Sequence, residues 1–135
     1  MLTVKKRWSP RVNNFVRGGI LGLGLVDLVL QISLRKINFG IENHGVSFGL
    51  FSQAGIWLDY FLLLVVLGFW WYFLREKERV SLAILAILSG GLVNLVSRIF
   101  FGGVWDYLFI PFTQIRNNFS DILISLGIVA YLFGF

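Results

Sequence analysis

Four apolar stretches alternate with polar segments along the chain. They run from about 18 to 34, 55 to 74, 80 to 101 and 119 to 135. Each is long enough to cross a bilayer, which takes roughly 17 to 25 helical residues. We therefore expect an all-α integral membrane protein with four transmembrane helices. Residues 1–135 would form a single membrane domain that begins with a basic tail over residues 1–17.

The first apolar stretch has the basic flank of a secretory signal peptide. However, it is longer than the apolar region of such a peptide, it contains Asp27, and no cleavage site of small residues follows it. We expect it to be retained as the first helix.

The segment between the first two stretches has a pattern of its own. Ile37, Phe39 and Ile41 alternate with polar or small residues, and a period of two is typical of a half-buried strand. The Asn-His-Gly sequence at residues 43–45 follows with the chemistry of a turn. We expect a small extended or β ledge here, on the outer face of the membrane.

The composition agrees with a membrane location and excludes several classes of protein. Hydrophobic residues make up 57% of the chain and charged residues only 14%, whereas about a quarter of a typical soluble domain is charged. This excludes a disordered chain, a nucleic-acid-binding module and an ordinary cytosolic enzyme. Cysteine is absent and histidine occurs once. We therefore expect no disulfide, no thiol nucleophile and no metal site built on thiolates or histidines.

The chain has a net charge of +5, and the uneven distribution of its basic residues predicts its orientation in the membrane. Of the 12 basic residues, five precede the first apolar stretch and three lie between the second and the third. The two other connections carry two each. Because loops rich in Lys and Arg stay in the cytoplasm, we expect both termini to be cytoplasmic.

Ionisable residues inside or beside the apolar stretches are informative, because they are costly to place in a membrane and are usually paired or functional. The candidates and one polar neighbour are Asp27, Asp59, Asn94, Arg98, Asp106 and Asp121. Asn94 and Arg98 are four residues apart and so share one face of the third helix. Asp106 follows that helix, and Asp121 lies in the first turn of the fourth helix.

Asp106 and Asp121 are expected at the same depth, at the outer membrane surface. Two carboxyl groups that meet there share one proton, since both cannot ionise easily. The ionised member can deprotonate a water that attacks a peptide carbonyl, and the protonated member can protonate the leaving amine. The start of the fourth helix, which Asn117 or Asn118 is placed to cap, favours the ionised form of Asp121.

Each of these acidic residues also has a purely structural interpretation. Asp121 alone is compatible with a helix N-terminal charge. Asp106 is compatible with an interfacial loop residue, or with an ion-pair partner of the arginine in the third helix. Asp27, in the middle of the first helix, is compatible with a hydrogen bond to Asn94 or Ser97 on the third. The residues alone leave these alternatives open.

Several segments resemble, in order, the motifs of lipoprotein signal peptidases (signal peptidase II). Residues 43–49 (NHGVSFG) look like N-x-G-A-A-F-G, residues 90–98 (GGLVNLVSR) like G-G-A-x-G-N-x-x-D-R, and residues 98–107 (RIFFGGVWDY) like R-x-x-x-G-x-V-x-D-F. Residues 118–127 (NFSDILISLG) are similar to N-x-A-D-x-x-x-x-x-G. Asp27 falls where the family has D-Q-x-[ST]-K. The resemblance covers nearly the whole chain after the basic tail.

The resemblance implies an intramembrane aspartic endopeptidase in the cytoplasmic (inner) membrane of a bacterium. Its catalytic pair would be Asp106 and Asp121, and no cofactor is implied. The residues that bind substrate or support the site would be Asn43, Gly45, Asn94, Arg98, Asn118 and Asp27. Its partners would be membrane lipids and a prolipoprotein, whose signal peptide is removed once the lipobox cysteine carries diacylglycerol. We expect a monomer that binds no nucleic acid.

The chain departs from the family pattern at several positions. Ser97 stands where the family has Asp before Arg, and Val93 replaces a helix-packing Gly. Leu28 and Gln31 stand where the family has Gln and Lys. The alternative is therefore a catalytically degenerate homologue that binds lipoprotein precursors or lipid without cleavage. A small transporter is a third and less favoured interpretation, because only Asp27 lies near the depth at which transporters bind their substrates.

Overall fold

The computed structural model describes residues 10–45, 52–54, 56–75 and 81–134. Within these residues the chain forms the helices α1 (Pro10–Lys36), α2 (Ile56–Arg75), α3 (Leu82–Phe101) and α4 (Phe119–Leu132). The strands β1 (Ile41–Asn43) and β2 (Val104–Asp106) form one antiparallel pair, and β3 (Leu108–Phe109) and β4 (Arg116–Asn117) form another. Ser52–Ala54 form a short 3-10 helix. The expectation of a mostly helical chain is confirmed.

Helix α1 begins at Pro10, whereas the apolar pattern predicted a start near Gly18. Proline is tolerated in the first turn of a helix, where its missing N–H would have no partner. In the second turn, Arg17 Nε donates to Asn13 Oδ1 over 3.2 Å, which supports the helix between residues four apart. Part of the predicted basic tail is therefore helical, and residues 1–9 of it lie outside the described residues.

Capping residues set the ends of α3. Ser81 precedes the helix with an extended backbone, and its hydroxyl accepts the N–H of Ile84 over 3.2 Å. At the other end Gly102 adopts a φ of +80°, and its N–H donates to Arg98 O over 2.8 Å. Glycine enters this left-handed conformation without a steric penalty. The chain therefore turns sharply from α3 towards β2.

The described part of the chain is apolar outside and polar at its centre. The exposed fractions of Phe15, Trp57 and Leu64 are 83%, 77% and 68%. The largest fully buried side chains are instead mostly polar, namely Gln31, Val104, Asn118, Asp27, Asp106, Ser97 and Ser120. This reverses the distribution of a soluble protein. It is typical of a membrane protein whose ionisable groups face its interior.

Two helical stretches of the described residues are long and apolar enough to cross a membrane, Asn13–Lys36 and Leu82–Phe101. The apolar stretches Tyr60–Tyr72 and Phe119–Leu132 are shorter. Helix α3 is central, because it contacts α4, α1 and α2. It packs closely against α4, where a Cβ added to Gly127 would lie 2.6 Å from the carbonyl oxygen of Ala83.

The predicted strand around residues 37–42 is shorter than its alternating pattern indicated. Asn38 and Gly40 have positive φ angles of 56° and 127°, so the backbone turns there and pairing begins only at Ile41. A Cβ on Gly40 would lie 2.7 Å from the carbonyl oxygen of Asp106. The turn therefore depends on glycine, and it brings β1 against β2 with Ile41 opposite Asp106 and Asn43 opposite Val104.

Candidate active site

Asp106 is the last residue of β2, and its side chain is only 1% exposed. Asn43 Nδ2 donates to its Oδ2 over 2.9 Å, and Asn118 Nδ2 donates to its Oδ1 over 2.8 Å. The strand register explains the first contact. Asn43 lies opposite Val104, so Asp106 is its diagonal neighbour on the same face of the sheet. Each carboxyl oxygen of Asp106 thus accepts a hydrogen bond from an amide.

Burial raises the pKa of Asp106 above its ordinary value, because the interior disfavours the charged form. The amide hydrogen bonds from Asn43 and Asn118 and the positive charge of Arg98 act in the opposite direction. The rise prevails, so Asp106 holds its proton to a higher pH than an ordinary aspartic acid.

Asp121 lies in the first turn of α4 and is 8% exposed. Asn94 Nδ2 donates to its Oδ1 over 2.9 Å, and its backbone N–H donates to Asn118 Oδ1 over 2.9 Å. The predicted cap of α4 is therefore confirmed, with Asn118 as the capping residue. Because the same Asn118 side chain donates to Asp106, one amide connects the two aspartates.

Asp121, but not Asp106, lines a cavity of about 260 Å³ between α2, α3 and α4. Asn43, Asn94 and Arg98 supply the other polar groups of its wall. Most of the remaining wall is apolar, with Leu62, Val65, Val66 and Phe69 from α2 and Ile87, Leu88 and Ile124 from the facing helices. The cavity is therefore suited to an apolar chain with one polar, reactive end.

Arg98 fixes the end of β1 through the backbone. Its guanidinium donates to the carbonyl oxygen of His44 over 3.3 Å and also to that of Gly45. The N–H of Gly45 in turn donates to Asn43 Oδ1 over 2.9 Å. Because the Oδ1 of Asn43 is occupied in this way, its Nδ2 faces Asp106. Arg98 and Gly45 thus act on Asp106 through the orientation of one amide.

Asp27 is fully buried in α1, and its partners are not the expected Asn94 and Ser97. Its carboxylate accepts the backbone N–H groups of Phe119 and Ser120, each over 3.1 Å. It also accepts Gln31 Nε2 over 2.9 Å and the hydroxyls of Tyr107 and Ser120. The first N–H groups of a helix lack partners within it, and a carboxylate is a favourable acceptor there. Asp27 therefore holds the start of α4 from a different helix.

Ser97 and Asn94, the expected partners of Asp27, form hydrogen bonds with other residues. Ser97 donates to the carbonyl oxygen of Gly103 over 3.0 Å, and Asn94 contacts Asp121 and Gln31. Ser97, which replaces the acid of the family pattern, is therefore a buried support of the turn after α3.

Sequence reasoning missed three residues of the site: Gln31, Tyr107 and Ser120. Burial and the neighbouring Asp27 raise the pKa of Tyr107, so its hydroxyl stays protonated and donates to Asp27. Gln31 was detectable, because it lies four residues after Asp27 on the same helix face. The side chain of Asp59 and residues 46–49 of the first resembling segment lie outside the described residues.

The site thus consists of two carboxyl groups that are close enough for their charges to repel. Asp121 lines a cavity and Asp106 is buried. Such a pair titrates as a unit and retains one proton over a range of pH. It can supply a base and an acid to the same reaction. Fold and site together define a helical membrane protein with a buried aspartate pair at one end of its helices.

The particular family follows from comparison with known proteins. The family model Peptidase_A8, signal peptidase (SPase) II, matches residues 14–135, and the chain belongs to this family. The chain is 31% identical over 123 residues to the lipoprotein signal peptidase of Helicobacter pylori, covering 87% of this chain and 74% of that protein.

Two further relatives are also lipoprotein signal peptidases. That of Clostridium novyi is 30% identical over 96 residues, 66% of this chain and 65% of that protein. That of Thermodesulfovibrio yellowstonii is 29% identical over 113 residues, 82% of this chain and 74% of that protein. Among solved structures, a bacterial membrane enzyme determined by the in meso method at 2.3 Å has a similar fold. Its TM-score is 0.72 at 13% identity, over 96% of this chain and 90% of that one.

Proposed function

We propose that the chain is an intramembrane aspartic endopeptidase that removes signal peptides from diacylglyceryl-modified prolipoproteins. Membership of the signal peptidase II family supports this. The single observation that carries the proposal is the connection of Asp106 to Asp121 through the Asn118 amide, beside an apolar cavity that Asp121 lines. No cofactor takes part in the proposed reaction.

In the proposed reaction Asp106 and Asp121 share one proton. The ionised carboxylate takes a proton from water, and the water oxygen forms a bond to the carbonyl carbon of the scissile peptide. The protonated carboxyl donates its proton to the amine nitrogen as the carbon–nitrogen bond breaks. The start of α4 favours the ionised form of Asp121, which supports Asp106 as the member that carries the shared proton at the start.

Amides hold the two acids in place for this reaction. Asn43 and Asn118 donate to Asp106, and Asn94 donates to Asp121. Gly45 and Arg98 fix the first of these amides, and Asp27 fixes the first turn of α4. Pre-placed donors of this kind need no rearrangement as charge develops. In our proposal Asn43, Asn94 and Arg98, which also line the cavity, contact the substrate backbone.

The apolar wall of the cavity supports a membrane-embedded substrate. We propose that the apolar part of the signal peptide and the acyl chains of the lipidated cysteine pack against α2, α3 and α4. The polar end of the cavity then receives the peptide bond. Membrane lipids surround the apolar exterior, and the chain acts as a monomer.

In our proposal the four helices all cross the membrane, with both termini in the cytoplasm and the site towards the outer face. Helix α4 has 14 residues and is about 21 Å long at 1.5 Å per residue. This is less than the roughly 30 Å of a bilayer core, so Asp121 would lie below the outer surface. A reporter protein fused after Phe135 should be located in the cytoplasm. A reporter located on the outer side of the membrane would contradict this orientation.

Cleavage of a purified diacylglyceryl prolipoprotein in detergent tests the activity. We expect the unchanged chain to release the signal peptide, and Asp106→Asn and Asp121→Asn to lower kcat by about 10²- to 10⁴-fold each. Glu42→Gln is the matched control, since it makes the same chemical change at a half-exposed residue. Equal cleavage by all four proteins would refute the roles of Asp106 and Asp121. Binding of the prolipoprotein without cleavage would instead identify a degenerate homologue.

A further inference from the structure

Gln31 is almost fully buried in α1, with 1% of its surface exposed, and it uses all of its amide hydrogen-bonding groups. Nε2 donates to Asp27 Oδ2 over 2.9 Å and to Asn94 Oδ1 over 3.4 Å. Oε1 accepts the backbone N–H of Trp105 over 3.3 Å. An amide can make this combination of contacts, because it both donates and accepts. A lysine, as in the family pattern, can only donate.

The three contacts of Gln31 lead to both aspartates. Asn94 presents its Oδ1 to Gln31, so its Nδ2 points at Asp121, to which it donates. Trp105 directly precedes Asp106 in β2, so the contact with its N–H fixes the backbone beside that carboxyl group. In both directions only one residue separates Gln31 from a carboxyl group of the pair.

We infer that Gln31 is a positioning residue, which sets the amide orientation of Asn94 against Asp121 and the backbone of β2 beside Asp106. This inference rests on the proposed endopeptidase activity. Because reacting groups must be held closely in place, a displacement of about 1 Å can cost about 100-fold in rate. Gln31 reaches neither reacting group directly, so its loss should slow the chemical step more than it weakens substrate binding, to which only the contact of Asn94 contributes.

Gln31→Leu is the first test, because leucine retains most of the volume and removes every polar contact. We expect kcat for prolipoprotein cleavage to fall about 10- to 100-fold, with a smaller change in KM. Gln114→Leu is the matched control, since it makes the same change at an exposed loop residue, and it should retain the original kcat. Unchanged kcat in Gln31→Leu, a change in KM alone, or a loss of rate equal to the loss of folded protein would overturn the inference.

A second measurement separates the inference from the proposed activity. Nuclear magnetic resonance in detergent micelles follows the side-chain amide of Asn94 and the backbone N–H of Trp105 without any substrate. Gln31→Leu should shift both signals and speed hydrogen exchange at Trp105, whereas Gln114→Leu should alter neither. Signals that stay unmoved in Gln31→Leu would refute the positioning role. If the unchanged chain cleaves no prolipoprotein, the proposed activity fails, and these signals still decide the role of Gln31.

Gln31→Glu decides the question if Gln31→Leu does not fold. Glutamate has the same size and retains an acceptor for Trp105. Because Gln31 Nε2 lies 2.9 Å from Asp27 Oδ2, the new carboxyl group keeps a proton and donates it to the Asp27 carboxylate. It then has no second donor for Asn94. We expect the Asn94 signal to shift, the Trp105 signal to remain, and kcat to fall by a larger factor than KM changes. An unshifted Asn94 signal or an unchanged kcat would refute the inference.

Discussion

The substitution Asp27→Asn tests whether a carboxylate on α1 holds the start of α4. Both carboxylate oxygens are in use: Oδ1 accepts from Tyr107 and Phe119, and Oδ2 accepts from Gln31 and Ser120. An asparagine has only one acceptor oxygen, and its NH₂ group must replace the other. If the NH₂ group replaces Oδ1, the Tyr107 hydroxyl can rotate to accept from it. The N–H of Phe119 has no such freedom and is left without a partner.

The expected loss of stability follows from the number of buried N–H groups that lose their acceptor. A buried donor without a partner costs about 1 to 3 kcal/mol, and hydrogen bonds to a charged acceptor are stronger than neutral ones. We therefore expect Asp27→Asn to lower the free energy of unfolding by about 2 to 4 kcal/mol. If the NH₂ group replaces Oδ2 instead, the N–H of Ser120 is left without an acceptor. The expected loss of stability is therefore the same for both orientations of the new amide.

Reversible unfolding in mixed detergent micelles, followed by circular dichroism, measures this difference. Glu42→Gln is the matched control. The Glu42 carboxylate is 35% exposed and lies 3.5 Å from the Arg35 guanidinium, whose side chain is 17% exposed. Because water still reaches this pair, we expect its loss to cost about 1 kcal/mol. A change below about 0.5 kcal/mol in Asp27→Asn, or an equal change in both variants, would refute the capping role of Asp27.

Two further predictions concern helix packing and pH. Gly127→Ala should lower the free energy of unfolding by about 1 to 3 kcal/mol, because the new Cβ would lie 2.6 Å from the Ala83 carbonyl oxygen. Gly68→Ala, where nothing lies within 4 Å, should leave it unchanged or raise it, and equal losses would contradict the packing argument. Burial raises the pKa of Asp106 from 3.8, so the folded chain binds this proton more tightly than the unfolded chain. The resulting stability is present below pH about 4 and lost as pH rises through the folded-state pKa, by at most about 1.4 kcal/mol per pH unit. Unfolding measured across this range should show that decline, and an Asp106→Asn variant with the same decline would contradict it.

The local features of the fold were predictable from sequence, because their causes are local. Asn118 precedes an apolar run and carries a side chain that caps helices, and it does cap α4. The strand before Asn43 was only partly predictable. Residues 37–41 do alternate between apolar and polar or small side chains, but Asn38 and Gly40 turn the backbone through positive φ angles. The alternation of side chains does not predict these φ angles.

The partners of Asp27 were not predictable in the same way. The sequence places an acidic residue in an apolar helix, where an unpaired charge is costly. The structure shows that Asp27 is buried and hydrogen-bonded. Which groups pair with it depends on where α4 begins relative to α1, and the spacing within α1 does not contain that information. The relation to Gln31 was accessible, since residues four apart on a helix lie on one face.

The contacts that build the site join segments far apart in the chain. Asp27 meets Ser120 across 93 positions, Gln31 meets Trp105 across 74, and Asn43 meets Asp106 across 63. Contacts of such long range form late, because the intervening loops must be closed before the contacts stabilise anything. A nascent or misfolded chain therefore has no assembled aspartate pair. The proposed activity should therefore appear only once the fold is complete.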